Sequence, residues 1–232
     1  MEAEVEWRGA PGTLPLMSPS KDWLVCFSAH YDDPSAVLLP EAHFLMHRWY
    51  RPLRVELAMS RRPWGLRANR ASYAGSDHTA ESPNTHGPAL RRHLKKLADQ
   101  GEFAIDVSLG KSTSRRQQLR NKYLIDIDGF ARTWDAWAWK MLSGSVVLSP
   151  ASIWQTRFTR EFEPWQHYVP LASDLSDLGD QLEWCQSHDQ ECKEMSDRAR
   201  RHACRVYDHR RVERVTAELL RPRLGLNQAH PT

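Results

Sequence analysis

The chain has 232 residues, 41% hydrophobic and 26% charged, with a formal net charge of +3. That balance builds a globular core and excludes a disordered chain, and so small a charge gives no ground by itself for a nucleic-acid partner. No stretch is long and apolar enough to span a membrane, and no basic-then-apolar start reads as a signal peptide, which leaves the compartment open.

Residues 1–20 are rich in Pro and Gly and carry no period, so no folded start is expected there. Residues 22–29 (DWLVCFSA) read as a strand, 30–35 as a loop, and 36–39 as an apolar run into Pro40. A short helix over 41–49 and a second over 53–60 follow, stopping before the RRPW of residues 61–64. Residues 70–74 read as a strand entering a turn at Gly75 and Ser76, and 77–87 as a polar loop. Pro88 opens a helix, since proline suits a first turn, and Leu90, Leu94 and Leu97 give it an apolar stripe. Residues 102–109 read as a strand and 110–119 as a loop or short helix.

The stretch 121–148 organises the chain. Residues 123–128 are short, apolar and bounded by Gly129, as a buried strand is. A helix is expected over 131–142, ended by Ser143 and Gly144, with a second strand at 145–148. Beyond it, 149–159 read as an irregular turn, and Tyr168 with Val169 as a short strand. Ser173 is the expected N-cap of a helix whose Leu175, Leu178, Leu182 and Cys185 share a face. Helices over 190–207 and 210–220 complete the chain. Strands alternating with helices from about Arg70 onward predict an α/β fold with a mainly parallel, doubly wound sheet.

In such a fold the loop after a strand aims the next helix at the ligand crevice. Gly129 lets backbone N–H groups approach a phosphate closely, so residues 129–135 are the expected anion site, for a nucleotide. Gly75 and Ser76 offer a second phosphate cradle, with Arg91 at the start of the next helix as its cation. Asp126 and Asp128 form a DxD whose carboxylates share one strand face, as a divalent cation requires; the plain alternative is a polar strand end. His43 and His47 are spaced like metal ligands but lack a third partner, and no GxSxG marks a nucleophile. The arginines from Arg198 to Arg214 read as a solvated helix face, and no stacking motif joins them, so no nucleic-acid partner is expected. The four cysteines have no CxxC spacing and demand neither zinc nor a disulfide.

The runs YLIDIDGFARTWDAWAWKMLSGSVVL (123–148), EFEPWQHYVPL (161–171) and SDLSDLGDQLEWCQSHDQECKEM (173–195) resemble the C-terminal half of glycosyltransferase family 90. These are the lipopolysaccharide-modifying and capsule-associated proteins and the animal protein O-glucosyltransferases. YAGS at residues 73–76 is similar to the family's aromatic-Arg-Gly-Ser turn, and the likeness covers roughly residues 25–210. The resemblance implies a GT-B-like enzyme. Residues 70–220 would be its Rossmann-like nucleotide-sugar lobe, 1–69 the remnant of an incomplete N-terminal acceptor lobe, and 221–232 a tail. It implies a UDP-sugar donor, a hydroxyl acceptor on a glycan or protein, and no metal or other cofactor. Carried over by position, the donor site is Ser76, Arg91, Phe130, Ala131, Arg132, Thr133, Trp134 and Asp135. Ala74 stands where the family has arginine, and Asp135 where some members do. The family's catalytic aspartate lies in an upstream Arg-Asp context that this sequence does not contain, so the catalytic residue is unassigned. The alternative is a relative that binds UDP-sugar without transferring it.

Overall fold

The computed structural model describes residues 16–17, 24–77, 87–110, 113–132 and 134–223. The expected irregular start, most of the 77–87 loop, Thr133 and the end of the tail lie outside these residues. Three short strands, β1 (Leu16–Met17), β2 (Leu24–Cys26) and β4 (Ala36–Leu38), form a small sheet, with β3 (Ser28–His30) following β2. The single strand expected over 22–29 is thus two, divided at Phe27. Helix α1 (Ala42–Met46) is shorter than expected because residues 48–50 adopt left-handed backbone. Helix α2 (Arg51–Ser60) carries its proline in the first turn, where no N–H is needed.

A five-stranded parallel sheet follows. Its strands are β5 (Ala68–Gly75), β6 (Ile105–Leu109), β7 (Asn121–Ile125), β8 (Val146–Pro150) and β10 (Val169–Leu171). Between them lie α3 (Gly87–Gln100), α4 (Arg115–Gln118), α5 (Ala136–Leu142) and β9 (Trp154–Thr156). Helices α6 (Leu178–Ser187), α7 (Asp189–Val206) and α8 (His209–Leu220) close the fold. The order in space is β6-β5-β7-β8-β10, every neighbouring pair parallel. In sequence terms that is 2-1-3-4-5, whose switch point lies between β5 and β7.

Side-chain alternation explains the double winding. Tyr123 and Ile125 of β7, with Val146 and Leu148 of β8, face a core shared with Leu94 of α3 and Leu178 and Leu182 of α6. Leu124 and Val147, between them, face the opposite core with Trp137 and Met141 of α5 and Leu53 and Leu57 of α2. Helix α7 spans both cores: Cys192 and Met195 enter the first, Ala199 and Ala203 the second. Small residues at its second half allow close packing on α5.

Three other expectations change. Residues 154–156 are not irregular: β9 pairs antiparallel with β3, Thr156 opposite Ser28. Helix α5 begins at Ala136, not 131, and Arg132 ahead of it is drawn to Asp126 just beyond β7. Helix α6 begins at Leu178 and Ser173 does not cap it. Instead Leu175 is left-handed (φ 64°), and Asp177 accepts the Ala172 N–H at 2.8 Å.

Candidate functional site

The switch point carries a cleft of about 380 Å³. Its walls are the end of β5 (Tyr73 to Ser76), the end and loop of β7 (Asp126 to Arg132), Trp134, and the first turns of α5 as far as Lys140. This is where an open α/β sheet leaves room for a ligand, because the flanking crossovers depart to opposite faces.

Arg91 of α3 ties the two walls together. Its guanidinium donates to the Ser76 carbonyl and hydroxyl, both at 3.3 Å, and to the Ile127 carbonyl at 3.1 Å. These acceptors are neutral, and Arg91 forms no ion pair among the described residues, Asp128 acting on it only at longer range. Gly129 lies beside the guanidinium: a Cβ there would stand 3.4 Å from the Arg91 Nη2, at van der Waals contact. At Gly75 a side chain would strike the Tyr73 ring, which lies beneath Arg91 at 5.8 Å from its guanidinium carbon.

Deeper in, Asp126 is 2% exposed and receives two cations. Lys140 Nζ lies 2.6 Å from one carboxylate oxygen and Arg132 Nη2 2.6 Å from the other. Burial pushes the Asp126 carboxyl up, but Lys140 and Arg132 outweigh it and hold it at about 2. Arg132 also contacts Asp128 at 3.0 Å and donates to the Ser149 hydroxyl at 2.8 Å, while its guanidinium lies over the Trp137 ring at 4.5 Å. Asp128 accepts from the Ser152 hydroxyl. Burial raises the Asp128 carboxyl despite Arg132 and Ser152. Burial likewise lowers Lys140, because the single carboxylate it meets is shared with Arg132. Three basic groups therefore face two carboxylates, and burial pushes Lys140 as well as Asp128 toward the neutral form, leaving Arg91 and Arg132 against Asp126. The cleft has a positive excess suited to an anion.

A second hollow of about 490 Å³ adjoins the first and shares Ile127 and Asp128 with it. Leu90, His93, Pro150, Ile153 and Trp154 give it a more apolar lining.

Of the residues expected to hold a donor, Ser76, Arg91, Phe130, Ala131, Arg132 and Trp134 line the charged cleft. Thr133 lies outside the described residues. Asp135 is turned away: its carboxylate pairs with Arg115, which also holds Glu56 at 2.8 Å. Asp126 and Asp128 do converge, but on Arg132, and Asp126 also on Lys140. His43 and His47 stack at 4.1 Å, with Trp134 at 5.0 Å from His43, and no group of three potential metal ligands occurs among the described residues. Sequence reasoning passed over Tyr73, Lys140, Ser149 and Ser152. Lys140 left a signal, a charge inside the apolar run AWAWKML, and Tyr73 stood as the aromatic of the YAGS turn.

The family model described as Glycosyl transferase family 90 matches residues 40–223. Protein O-glucosyltransferase 2 of Danio rerio is 28% identical over 149 residues, covering 57% of this chain and 28% of that protein. Protein O-glucosyltransferase 3 of Homo sapiens is 35% identical over 78 residues, or 34% of this chain and 15% of that protein. The chain thus spans less than a third of the length of either relative. A crystal structure of a glycosyltransferase from Rickettsia africae ESF-5 superposes with a TM-score of 0.49 at 10% identity, over 84% of this chain and 59% of that one. Among the described residues, no helix is long and apolar enough to cross a membrane.

Proposed function

The chain belongs to glycosyl transferase family 90, and from that premise we propose that its switch-point cleft binds the diphosphate of a UDP-sugar, whose hexose or pentose passes to a hydroxyl of a glycan or protein. The observation that carries this reading is the positive excess of Arg91 and Arg132 over Asp126 at the β5/β7 crevice. The adjoining apolar hollow suits the nucleoside, and its shared wall at Ile127 and Asp128 keeps the two parts of one ligand continuous. Residues 70–220 form the donor lobe on this reading, 1–69 derive from the acceptor lobe, and 221–232 are a tail.

The chemistry asked of the site is modest. The acceptor hydroxyl oxygen bonds to the sugar's anomeric carbon and releases its proton to water, the bond from that carbon to the diphosphate breaks, and the leaving diphosphate oxygen takes the electron pair. Arg91 and Arg132, fixed before the donor arrives, stabilise that charge without reorganising. Ser76 offers a hydroxyl to a phosphate oxygen, and Trp134, 68% exposed, walls the sugar. No metal is needed on this reading, since Asp126 and Asp128 are already engaged by Arg132, and Asp126 also by Lys140.

A second reading rests on the same pairing. Neither carboxylate that lines the cleft is free to take an acceptor's proton, which favours a relative that binds UDP-sugar and transfers nothing. Calorimetric titration of UDP in chelator-containing buffer tests the donor site. Binding on the order of 10 μM that weakens in Arg91→Ala supports it, and absence of binding by the folded chain overturns it. Sugar transfer from UDP-glucose to added acceptors then separates the two readings.

A further inference from the structure

The opposite end of the strands, where β5 and β8 begin, carries its own cluster of cations. Helix α5 ends there at Leu142, and Arg67, 5% exposed, covers the turn that follows. Its guanidinium donates to the Gly144 carbonyl at 2.7 Å, the Ser145 hydroxyl at 2.6 Å and the Ser143 carbonyl at 3.3 Å. Burial, then the neighbouring Arg61, lower Arg67 to about 10. Arg200 approaches the same turn from α7, its Cδ 3.6 Å from where a Gly144 Cβ would stand. Arg54 of α2 donates to the Tyr207 carbonyl at 2.7 Å.

Arg54, Arg61 and Arg200 together line a hollow of about 210 Å³, floored by Leu57 and Leu142 and bordered by Cys204. None of these three arginines, nor Arg67, forms an ion pair among the described residues. Elsewhere the protein does pair such groups: Arg115, Arg157 and Arg211 all find carboxylates. Asp197 acts on Arg67 and Asp208 on Arg54 only at longer range, without an ion pair, while Arg61 and Arg200 meet no carboxylate within pairing distance among the described residues, and like charges so gathered repel most where solvent is partly excluded. Guanidinium forks arranged around a concave surface match the oxygens of a phosphate.

We infer that this hollow, formed by Arg54, Arg61 and Arg200 at the end of the strands remote from the donor cleft, is a second anion site that takes a phosphate group. The phosphate is either free in solution or borne by an anionic lipid headgroup; both present the same tetrahedral oxygens.

Cys204 provides the readout, because it is exposed while Cys26, Cys185 and Cys192 are buried. Its alkylation by an uncharged reagent is followed on the full chain with inorganic phosphate, with sodium chloride at matched ionic strength, and with vesicles of phosphatidylglycerol or of phosphatidylcholine. Phosphate is expected to slow alkylation, with half-protection on the order of 1–10 mM for a few charge-assisted hydrogen bonds at a partly solvated site. Arg61→Gln and Arg200→Gln should each require about tenfold more phosphate, the worth of one such bond. Both side chains lie outside the core, and a thermal melt verifies that the variants fold. Protection by phosphate supports a soluble source, and protection by phosphatidylglycerol vesicles alone supports the lipid source. Protection equalled by sodium chloride, or unchanged in both variants, or absent in every arm, overturns the proposal. UDP affinity is unaffected in these variants, so the test is independent of the donor-site reading.

Discussion

Arg132 lies 2.6 Å from Asp126, reaching back to a carboxylate buried just beyond β7. Helix α5 starts at Ala136, about a turn later than its composition suggests. The same ion pair places a fixed cation in the cleft. Fold and site are therefore coupled through one side chain. Arg132→Met leaves Asp126 with Lys140 alone and strips Asp128 of its cation. We expect a loss of about 3 kcal/mol in urea unfolding, as for one partner removed from a buried pair, together with loss of UDP binding.

Lys140 and Asp126 should behave as a unit. Each is 2% exposed, and either charge left alone would lack a counterpart in a poorly solvated place. Asp126→Asn and Lys140→Met are each expected to destabilise by about 3 kcal/mol. The double variant should lose clearly less than the sum, as a double-mutant cycle would measure. Additive losses would show that the two charges are not coupled.

Acid should weaken the protein through Asp126 over a defined window. Its carboxyl falls from 3.8 to about 2 in the folded chain, the two cations outweighing burial. A depressed carboxyl stabilises fully above the unfolded value, and that stability is lost as pH falls through the folded value. Between pH 4 and 2, about 2 kcal/mol should disappear. Asp126→Asn, compared with the native chain by urea unfolding at several pH values, should lack this increment.

Glu41 carries the opposite sign. Burial raises its carboxyl from 4.5 to about 8, against the lowering effect of Thr156, Tyr50 and Arg132. The folded chain therefore keeps a proton that the unfolded chain releases. Stability is fully present below pH 4.5 and declines as pH rises through about 8. Glu41→Gln fixes the neutral form and should gain about 4 kcal/mol over the native chain at pH 8, with little difference at pH 4. A constant difference across that range would contradict the assignment.

The sequence by itself determined the α/β class, the alternation that winds helices onto both sheet faces, and the loop after β7 as the place where chemistry gathers. Those features follow from local patterns: apolar runs such as Tyr123 to Ile125, the Pro88 helix start and the Gly144 stop need only near neighbours to be read. Tertiary structure alone decided what is joined across distance. The β3–β9 pair unites residues more than a hundred positions apart with no local period to announce it. Lys140 turns inward only because Asp126 awaits it, and the carboxylates of the DxD face Arg132 only because the loop returns. A buried charge is tolerated where its counterpart is, and that place is fixed by packing rather than by spacing along the chain.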